Sequence, residues 1–409
     1  SEQAALFEQM FAAPEDMDLM FRYALVSIRL QDYEAAISTL ERMLIYRPDQ
    51  PQVRAELGAS YFRIGSYPVA REYFTQVSAD PAAPAEVKAR AAAFLVEIDK
   101  RSRGSYWTGR IAANALFTTN ANSGPDSVNI EFLGVPAVLA DPSATAQTDG
   151  GVQLTAQTTW VQDLGTPRGD EWRTDFAFYG IRFGEVDDGN TEALLVRTGP
   201  RLSLDDEANG IKGRPYLEFD YVRYGGDPLY TTLGFGFDVT APVGQVAIGF
   251  GDIRLGWRDN HEKTAGVDKD GVNLRGRAGL SYLHDETLSL LGYSLVEYEG
   301  AKTNSERNIS LGLGGVATIS YASGFEMASR PWAVELAARG AYRFYDAPGI
   351  FDPANKREDF DIRVSVGHTA YLADGFAAVA RAEYLMRESD IRTFDLESLT
   401  VTAGVEYRF

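Results

Sequence analysis

The chain has no cysteine among its 409 residues. That excludes disulfides, thiolate metal centres and a lipid-modified N-terminal cysteine, and it is compatible with an oxidising compartment. Histidine is almost as scarce, with three in the chain. His261 falls in an expected loop, His284 in an expected turn, and His368 on the apolar face of an expected strand. None has an obvious serine or carboxylate partner, so nucleophilic catalysis has no visible machinery. No phosphate-binding glycine loop is apparent. The chain is therefore expected to be no enzyme and to need no cofactor. Base is also short: 39 Lys and Arg against 58 Asp and Glu give a net charge of −19. An acidic chain is a poor partner for nucleic acid. No apolar run reaches the roughly 20 residues of a membrane-spanning helix. No signal peptide is visible, and the polar start at Ser1 reads as a processed or trimmed chain. Asp187-Asp188 and Asp205-Asp206 are acidic enough for Ca²⁺, but exposed acidic turns are more often solvated, and no metal is expected.

What is plentiful is aromatic side chains (Tyr 21, Phe 22) and glycine (39), a mixture that suits many strands and tight turns. The chain has two textures. Residues 1–103 are rich in Ala, Leu, Glu and Arg at helical spacing. Tyr33, Ala36 and Leu40 recur as Tyr67, Ala70 and Phe74, an offset of 34, and Ala24 recurs as Gly58. Leu57-Gly58, Tyr61, Ala70 and Phe74 follow the tetratricopeptide pattern L-G-x2-Y…A-x3-F, with Pro48 where a repeat should end. Small residues stand where helices cross, and a large one fills the gap beside them. Residues 84–103 read as a further helix capping the stack. Two repeats are few for independent stability, so the array is expected to rest on something else.

From Gly104 onward, period-2 alternation takes over. Trp332, Val334, Leu336, Ala338, Gly340, Tyr342 and Phe344 form one face of a strand, with Glu335, Arg339 and Arg343 on the other. About fourteen such segments follow one another, near 104–118, 151–163, 171–184, 190–204, 211–224, 229–241, 243–258, 271–284, 286–299, 305–321, 331–345, 359–372, 374–387 and 397–409. Many are longer than the 5–6 residues usual in soluble sheets and match the ~9–11 that cross a bilayer. Aromatics gather at strand ends (Trp107, Trp160, Trp172, Tyr221, Tyr224, Trp257, Tyr345, Tyr371), as an interfacial girdle requires. Connections alternate between long polar loops, near 119–150, 259–270, 300–304, 346–358 and 388–396, and short turns at Pro167–Gly169, Ala241-Pro242, His284-Asp285 and Leu372–Gly375. The alternation is imperfect: 204–213 and 322–330 are longish where short turns are expected, and Gly225–Pro228 is short where a long loop is expected. The fold class is thus α plus membrane β: helical tetratricopeptide repeats followed by an antiparallel transmembrane β-barrel. The expected domains are 1–103, in the periplasm, and 104–409, in the outer membrane. Hydrocarbon leaves no backbone group unpaired, so the sheet must close. An even strand number puts both barrel ends on the short-turn rim.

Alternation also sorts the charges. Glu218, Asp220, Arg254, Arg275, Arg277, Glu335, Arg339, Arg343, Asp361, Arg363, Arg381, Glu383, Arg387, Glu406 and Arg408 are expected to face the lumen. Any wet barrel needs a salt-bridged, hydrated wall of this kind. The alternative is a conduit whose charge ladder guides a solute or polymer, with the later arginines weakly favouring anionic or polar cargo. At the end of the chain, Val401, Ala403, Val405, Tyr407 and Phe409 are expected to face lipid. This last strand must pair with the first, near Gly104–Thr118, because a barrel has no free edge. Tyr407 and terminal Phe409 also resemble the signal read by the outer-membrane barrel assembly machinery.

Helical repeats fused in front of such a barrel resemble the surface lipoprotein assembly modulators of Gram-negative outer membranes. The resemblance lies in "VRAELGASYFRIGSYPVAREYFTQV" at 53–77, similar to that family's final repeat, in "VKARAAAFLVEIDKRSRGSYW" at 87–107, similar to its closing helix and first strand, and in "TTNANSG" at 118–124, similar to its first loop. The helical domain here is shorter than that family's. The resemblance implies a translocon moving a protein or lipoprotein cargo to the cell surface. Its repeats would engage cargo or a periplasmic partner through a groove that includes Phe21, Leu25, Arg29, Gln52, Phe62 and Arg63. Phe21, Leu25 and Phe62 are equally readable as core. The implied partners are outer-membrane lipid, surface-destined protein cargo and the assembly machinery. Two alternatives stay open: a polysaccharide export channel, and a passive porin whose repeats scaffold a partner.

Overall fold

The structure is a computed structural model that describes residues 2–12, 16–102, 104–166, 168–205, 210–244, 246–262, 266–285, 287–324, 330–373 and 375–409. The chain divides into two compact units, Ser1–Tyr106 and Trp107–Phe409.

Among the described residues the first unit contains six helices: α1 (Glu2–Ala12), α2 (Met17–Arg29), α3 (Tyr33–Tyr46), α4 (Pro51–Arg63), α5 (Tyr67–Ala79) and α6 (Ala85–Ser102). Arg103, the expected end of the last helix, lies outside the described residues. Local chemistry sets the boundaries. The Asp16 carboxylate accepts the Asp18 and Leu19 N–H groups at 3.1 and 3.0 Å, and Asp32 accepts the Ala35 N–H at 3.2 Å. Pro51 opens α4, where its missing N–H costs nothing. Helices α2, α4 and α6 start at 17, 51 and 85, and α3 and α5 at 33 and 67, so both series step by 34. The turn after α2 places Gln31 at φ 62°, and the turn after α4 places Gly65 at φ +81°, one period later.

Two cores hold the helices together. Leu6, Met20, Ala24, Leu40 and Leu57 belong to the first, and Ala55, Ala70, Phe74, Ala91 and Ile98 to the second. A Cβ added to Gly58 would lie 3.1 Å from the Phe74 ring, so a glycine there lets α4 and α5 approach closely. Phe74 stacks on Phe94 at 4.6 Å, which brings α6 into the same core. Ion pairs tie helix to helix: Glu56–Arg90 at 2.5 Å, Arg54–Asp80 at 3.2 Å and Arg71–Asp99 at 2.6 Å.

The second unit is a closed antiparallel barrel. Its strands are β1 (Ser105–Thr118), β4 (Asp149–Asp163), β5 (Glu171–Phe183), β6 (Thr191–Ser203), β7 (Lys212–Tyr224), β8 (Asp227–Val243), β9 (Ala247–Asn260), β10 (Gly271–Leu283), β11 (Leu288–Glu299), β12 (Asn308–Tyr321), β13 (Trp332–Tyr345), β14 (Glu358–Tyr371), β15 (Phe376–Ser389) and β16 (Leu396–Arg408). These are the fourteen expected segments, each shifted by a few residues at most. A small hairpin, β2 (Asn129–Phe132) with β3 (Val135–Val138), forms a separate two-stranded sheet inside the loop after β1.

Each strand pairs with its sequence neighbour, and β16 closes the ring on β1, from Arg110↔Arg408 to Thr118↔Thr400. Gly109 and Phe409 extend this pairing by exchanging N–H···O bonds of 3.0 and 3.1 Å. The connections at 119–148, 261–270, 300–307 and 346–357 lie on one rim. The other rim carries the short turns at 244–246, 284–287 and 372–375, the longer connections at 164–170, 204–211 and 322–331, and the start of β1 and the end of β16.

The expected turn at Ala241-Pro242 is corrected: both residues belong to β8, and Pro242 pairs with Ile248. The chain reverses around Gly244, whose φ of +66° supplies the turn geometry that Pro cannot. Proline near a strand end needs only that its missing N–H not be called on by the ladder. On the other rim, β7 and β8 are joined by Gly225-Gly226 alone, both at positive φ, which accounts for the short connection there. Pro167 and Asp374, in two other expected turns, lie outside the described residues.

Candidate functional site

Strand alternation gives the barrel an outer and an inner face. The outer face carries an exposed apolar belt, including Leu154, Leu217, Phe235, Ile253, Leu313, Leu336, Val364 and Val405. Soluble monomers rarely expose contiguous apolar surface beyond a few hundred Å². With every strand paired and no free edge, this belt makes the unit a bilayer-spanning barrel. Trp107 and Trp257 lie half exposed on the outer face. His368 also belongs there. Its ring shares a 2.6 Å hydrogen bond with the Tyr321 hydroxyl and meets Trp332 edge-on at 5.6 Å, so it joins a girdle cluster.

Three aromatics expected in the girdle point inward instead. Tyr224 donates to the Asn122 carbonyl at 3.0 Å, Tyr345 lies under the Arg357 guanidinium at 4.7 Å, and Tyr371 takes a 2.5 Å hydrogen bond from Arg408. Each shares parity with lumen charges on its own strand: Tyr224 with Asp220, Tyr345 with Arg343, and Tyr371 with Asp361. Alternation outranks position near a strand end.

All fifteen charges read as lumen-facing lie on the inner face. They form two different walls. From β5 to β9, Arg197, Arg214 and Arg254 form a largely buried network with five carboxylates, while Arg173 and Arg201 share Glu171 and Arg258 reaches Glu299 nearer the strand ends. Arg254 ion-pairs with both Glu218 and Asp220, the latter at 3.1 Å. Arg214 bridges Asp175 and Asp238, both at 2.7 Å. Arg197 holds Glu218 at 2.6 Å and Asp252 at 3.4 Å, and lies over the Tyr216 ring at 4.1 Å. The Tyr216 hydroxyl donates to Asp252 at 2.8 Å. Arg254 is 2% exposed, so its charge is fully internal to the wall.

From β10 round to β1 the arginines stand more open to the lumen. Glu297 is shared by Arg275 at 2.8 Å and Arg339 at 3.4 Å. Glu406 is shared by Arg408 and, at 3.9 Å, Arg110. Arg381 pairs with Glu335 at 2.5 Å and Arg363 with Glu383 at 3.5 Å. The side chains of Arg363, Arg110 and Arg381 are 52%, 50% and 45% exposed, so they reach lumen water. Arg277 lies between the Phe250 and Tyr293 rings at 5.2 and 5.7 Å. Nearer the long-loop rim, Arg387 and Arg343 flank Asp361 at 2.6 and 3.7 Å.

The loop at 119–148 is fastened across part of the long-loop mouth. The Asp126 carboxylate accepts the Glu397 N–H at 2.6 Å, and burial pushes its carboxyl up from the usual range. Thr393 donates to the Glu131 carbonyl at 2.6 Å and accepts its N–H at 3.0 Å. Phe132 meets Phe351, which meets Phe394, at 5.9 and 5.0 Å. Beside this cluster lies a cavity of about 450 Å³ lined by Arg357, Asn260, Glu299 and Tyr345.

The residues expected to line a groove in the helical unit divide. Phe21 packs against the first core. Phe62 packs against the second, meeting Tyr67 and Phe94 at 5.4 and 5.1 Å. Leu25, Gln52 and Arg63 are exposed, and Arg29 pairs with Glu2 of α1 at 3.1 Å. At the end of β16, Tyr407 contacts Phe376 and Phe409 at 4.8 and 5.9 Å. Among the described residues no group of three or more His, Asp or Glu is placed to hold a metal ion. Asp205 instead takes the Ile211 N–H at 2.7 Å, and Asp206 lies outside the described residues.

Sequence reading missed several residues that make the buried wall: Arg197, Arg214, Tyr216 and Asp252. Part of the signal was present: Arg214 and Tyr216 share parity with Glu218 on β7, and Asp252 with Arg254 on β9, while Arg197 stands directly opposite Glu218 in the ladder.

No protein-family model and no curated protein matches the chain. Among solved structures it is similar to an anion-selective porin from Comamonas acidovorans, 12% identical with a TM-score of 0.36, covering 75% of this chain and 99% of that one. It is also similar to the outer-membrane channel DcaP of Acinetobacter baumannii, 8% identical with a TM-score of 0.40, covering 75% and 97%. A bacterial polysaccharide outer-membrane secretin is 11% identical with a TM-score of 0.32, covering 73% and 98%.

Proposed function

We propose that the chain is an outer-membrane translocon that moves a surface-destined protein or lipoprotein through or along its barrel. The helical unit would act in the periplasm as a tetratricopeptide array that engages cargo or a partner. The observation that carries this reading is the combination of a wet, charge-lined lumen with helix pairs that step by 34 residues. The close approach of Gly58 to Phe74 fits the tetratricopeptide packing rule, and the resemblance at 53–77 and 87–107 supports protein as the cargo. The helices precede β1, which starts on the short-connection rim, the periplasmic rim of outer-membrane barrels. Tyr407 and Phe409 would serve the assembly machinery. Deleting residues 1–103 in the native cell should stop a co-encoded surface protein from reaching the exterior. Unchanged surface display overturns the translocon reading.

A second reading, a passive channel whose helices scaffold a partner, is favoured by the exposed lumen arginines, which already stand in water. It predicts stable open conductance from the full chain in planar bilayers. Electrically silent membranes would exclude an open pore.

A further inference from the structure

The two walls of the lumen differ in how far their charges are buried: the Arg254 side chain is 2% exposed, those of Arg363 and Arg110 about half exposed. On the β5–β9 side, Arg197, Arg214 and Arg254 answer five carboxylates, and the network is internal to the wall. On the other side, two glutamates are each shared by two arginines, and the guanidinium groups reach the water. The register also sets like charges side by side on the open wall. Arg110 stands directly opposite Arg408, and Arg339 directly opposite Arg363. Like charges directly opposite in a ladder destabilise a sheet. A hydrated lumen tolerates such pairs, and an anion lying between the guanidinium groups relieves them.

The arginines also line connected space. Arg110, Arg408 and Arg381 border a cavity of about 250 Å³ towards the short-connection rim. Arg381 and Arg363 border another of about 440 Å³ towards the long-loop mouth, with Tyr179 in its lining. Gln153, Arg381 and Thr402 belong to both linings, so one cavity leads to the next. Gln153 and Thr402 add neutral hydrogen-bonding groups, and Glu335, Glu406 and Glu383 in the same linings are each ion-paired, leaving Arg110, 3.9 Å from Glu406, as the least compensated guanidinium.

We infer that the β13–β16 and β1 side of the lumen is an anion track that takes carboxylate- or phosphate-bearing solutes, or the acidic stretches of a longer cargo, along Arg408, Arg110, Arg381, Arg363 and Arg339. This rests on the barrel acting as a conduit. Paired guanidinium groups suit planar carboxylate and phosphate oxygens, because each presents a fork of donors. The field acts over about 8–10 Å at ordinary ionic strength, so the acidic loops on the rims do not cancel it inside.

The test uses the full chain in planar bilayers under a KCl gradient. The reversal potential should report preference for chloride over potassium. Arg363→Gln with Arg381→Gln should reduce that preference by at least roughly twofold, whereas Arg363→Lys with Arg381→Lys should keep it. Arg182→Gln, on the outer face, should leave it unchanged. A cation preference, or a reversal potential indifferent to the Gln pair, overturns the track. Silent membranes would count against the open conduit and not against the track, which is then read by binding. Sodium tripolyphosphate should raise the melting temperature of the detergent-solubilised chain, and the Gln pair should abolish the rise. No rise in the parent protein, or the same rise in the variant, overturns it.

Discussion

The two sides of this lumen are built from the same residue types and serve different ends. The β5–β9 wall buries Arg254, Glu218 and their partners until the charges belong to the structure. The wall from β10 to β1 leaves Arg363, Arg381 and Arg110 in water, where they belong to whatever passes. Burial decides the role. A buried ion pair is costly to break and reads as architecture. An exposed one contributes little to stability and is free to bind.

The largest expected effect comes from breaking the buried wall. Arg254→Met leaves Glu218 and Asp220 buried without their cation, and should cost about 3–5 kcal/mol in reversible urea unfolding from lipid vesicles. A cost near zero would mean that this wall is hydrated and that the two sides are alike. Next comes Arg363→Gln on the open wall, expected to cost under about 1 kcal/mol in the same assay. If it costs as much as Arg254→Met, Arg363 is structural.

The smallest effect is a pH dependence outside the membrane. Asp170, in a short connection, accepts the Ser203 N–H at 2.7 Å, which holds its carboxyl below the usual range. A lowered carboxyl contributes stability above its unfolded value, near 3.9, and loses it as pH falls through the folded one. Asp170→Asn should therefore lower the unfolding midpoint at pH 7 and lower it less near pH 2. A shift of equal size at both values would show that the carboxylate's charge plays no part.

Much of this fold was legible because period-2 alternation is a strong signal over strands of a dozen residues, as in Trp332–Phe344. The inner face of β13 follows directly from Glu335, Arg339 and Arg343. Legibility failed where local composition competed with geometry. Ala241-Pro242 reads as a turn, yet the positive φ of Gly244 sets the reversal. Tyr224, Tyr345 and Tyr371 read as girdle by position, yet parity turns them inward. The split between a buried and an open wall was not readable at all. It depends on which arginine meets how many carboxylates across strands, as when Arg197 on β6 reaches both Glu218 on β7 and Asp252 on β9. In the helical unit, Phe21 and Phe62 carry the periodicity of both a core and a groove, and packing places them against the cores.

The absence of cysteine supplies the most direct test of a bilayer-spanning barrel with a wet lumen and one open wall. Single cysteines can be placed at Ser365, on the open inner wall, at Val366, next to it on the outer face, and at Thr232, inside the buried wall. In reconstituted full-length chain, a charged, membrane-impermeant thiol reagent should modify Ser365→Cys and spare both Val366→Cys and Thr232→Cys. A bilayer-embedded quencher should reach a fluorophore at Val366→Cys alone. Equal modification at Ser365→Cys and Val366→Cys would contradict the sidedness on which the account rests.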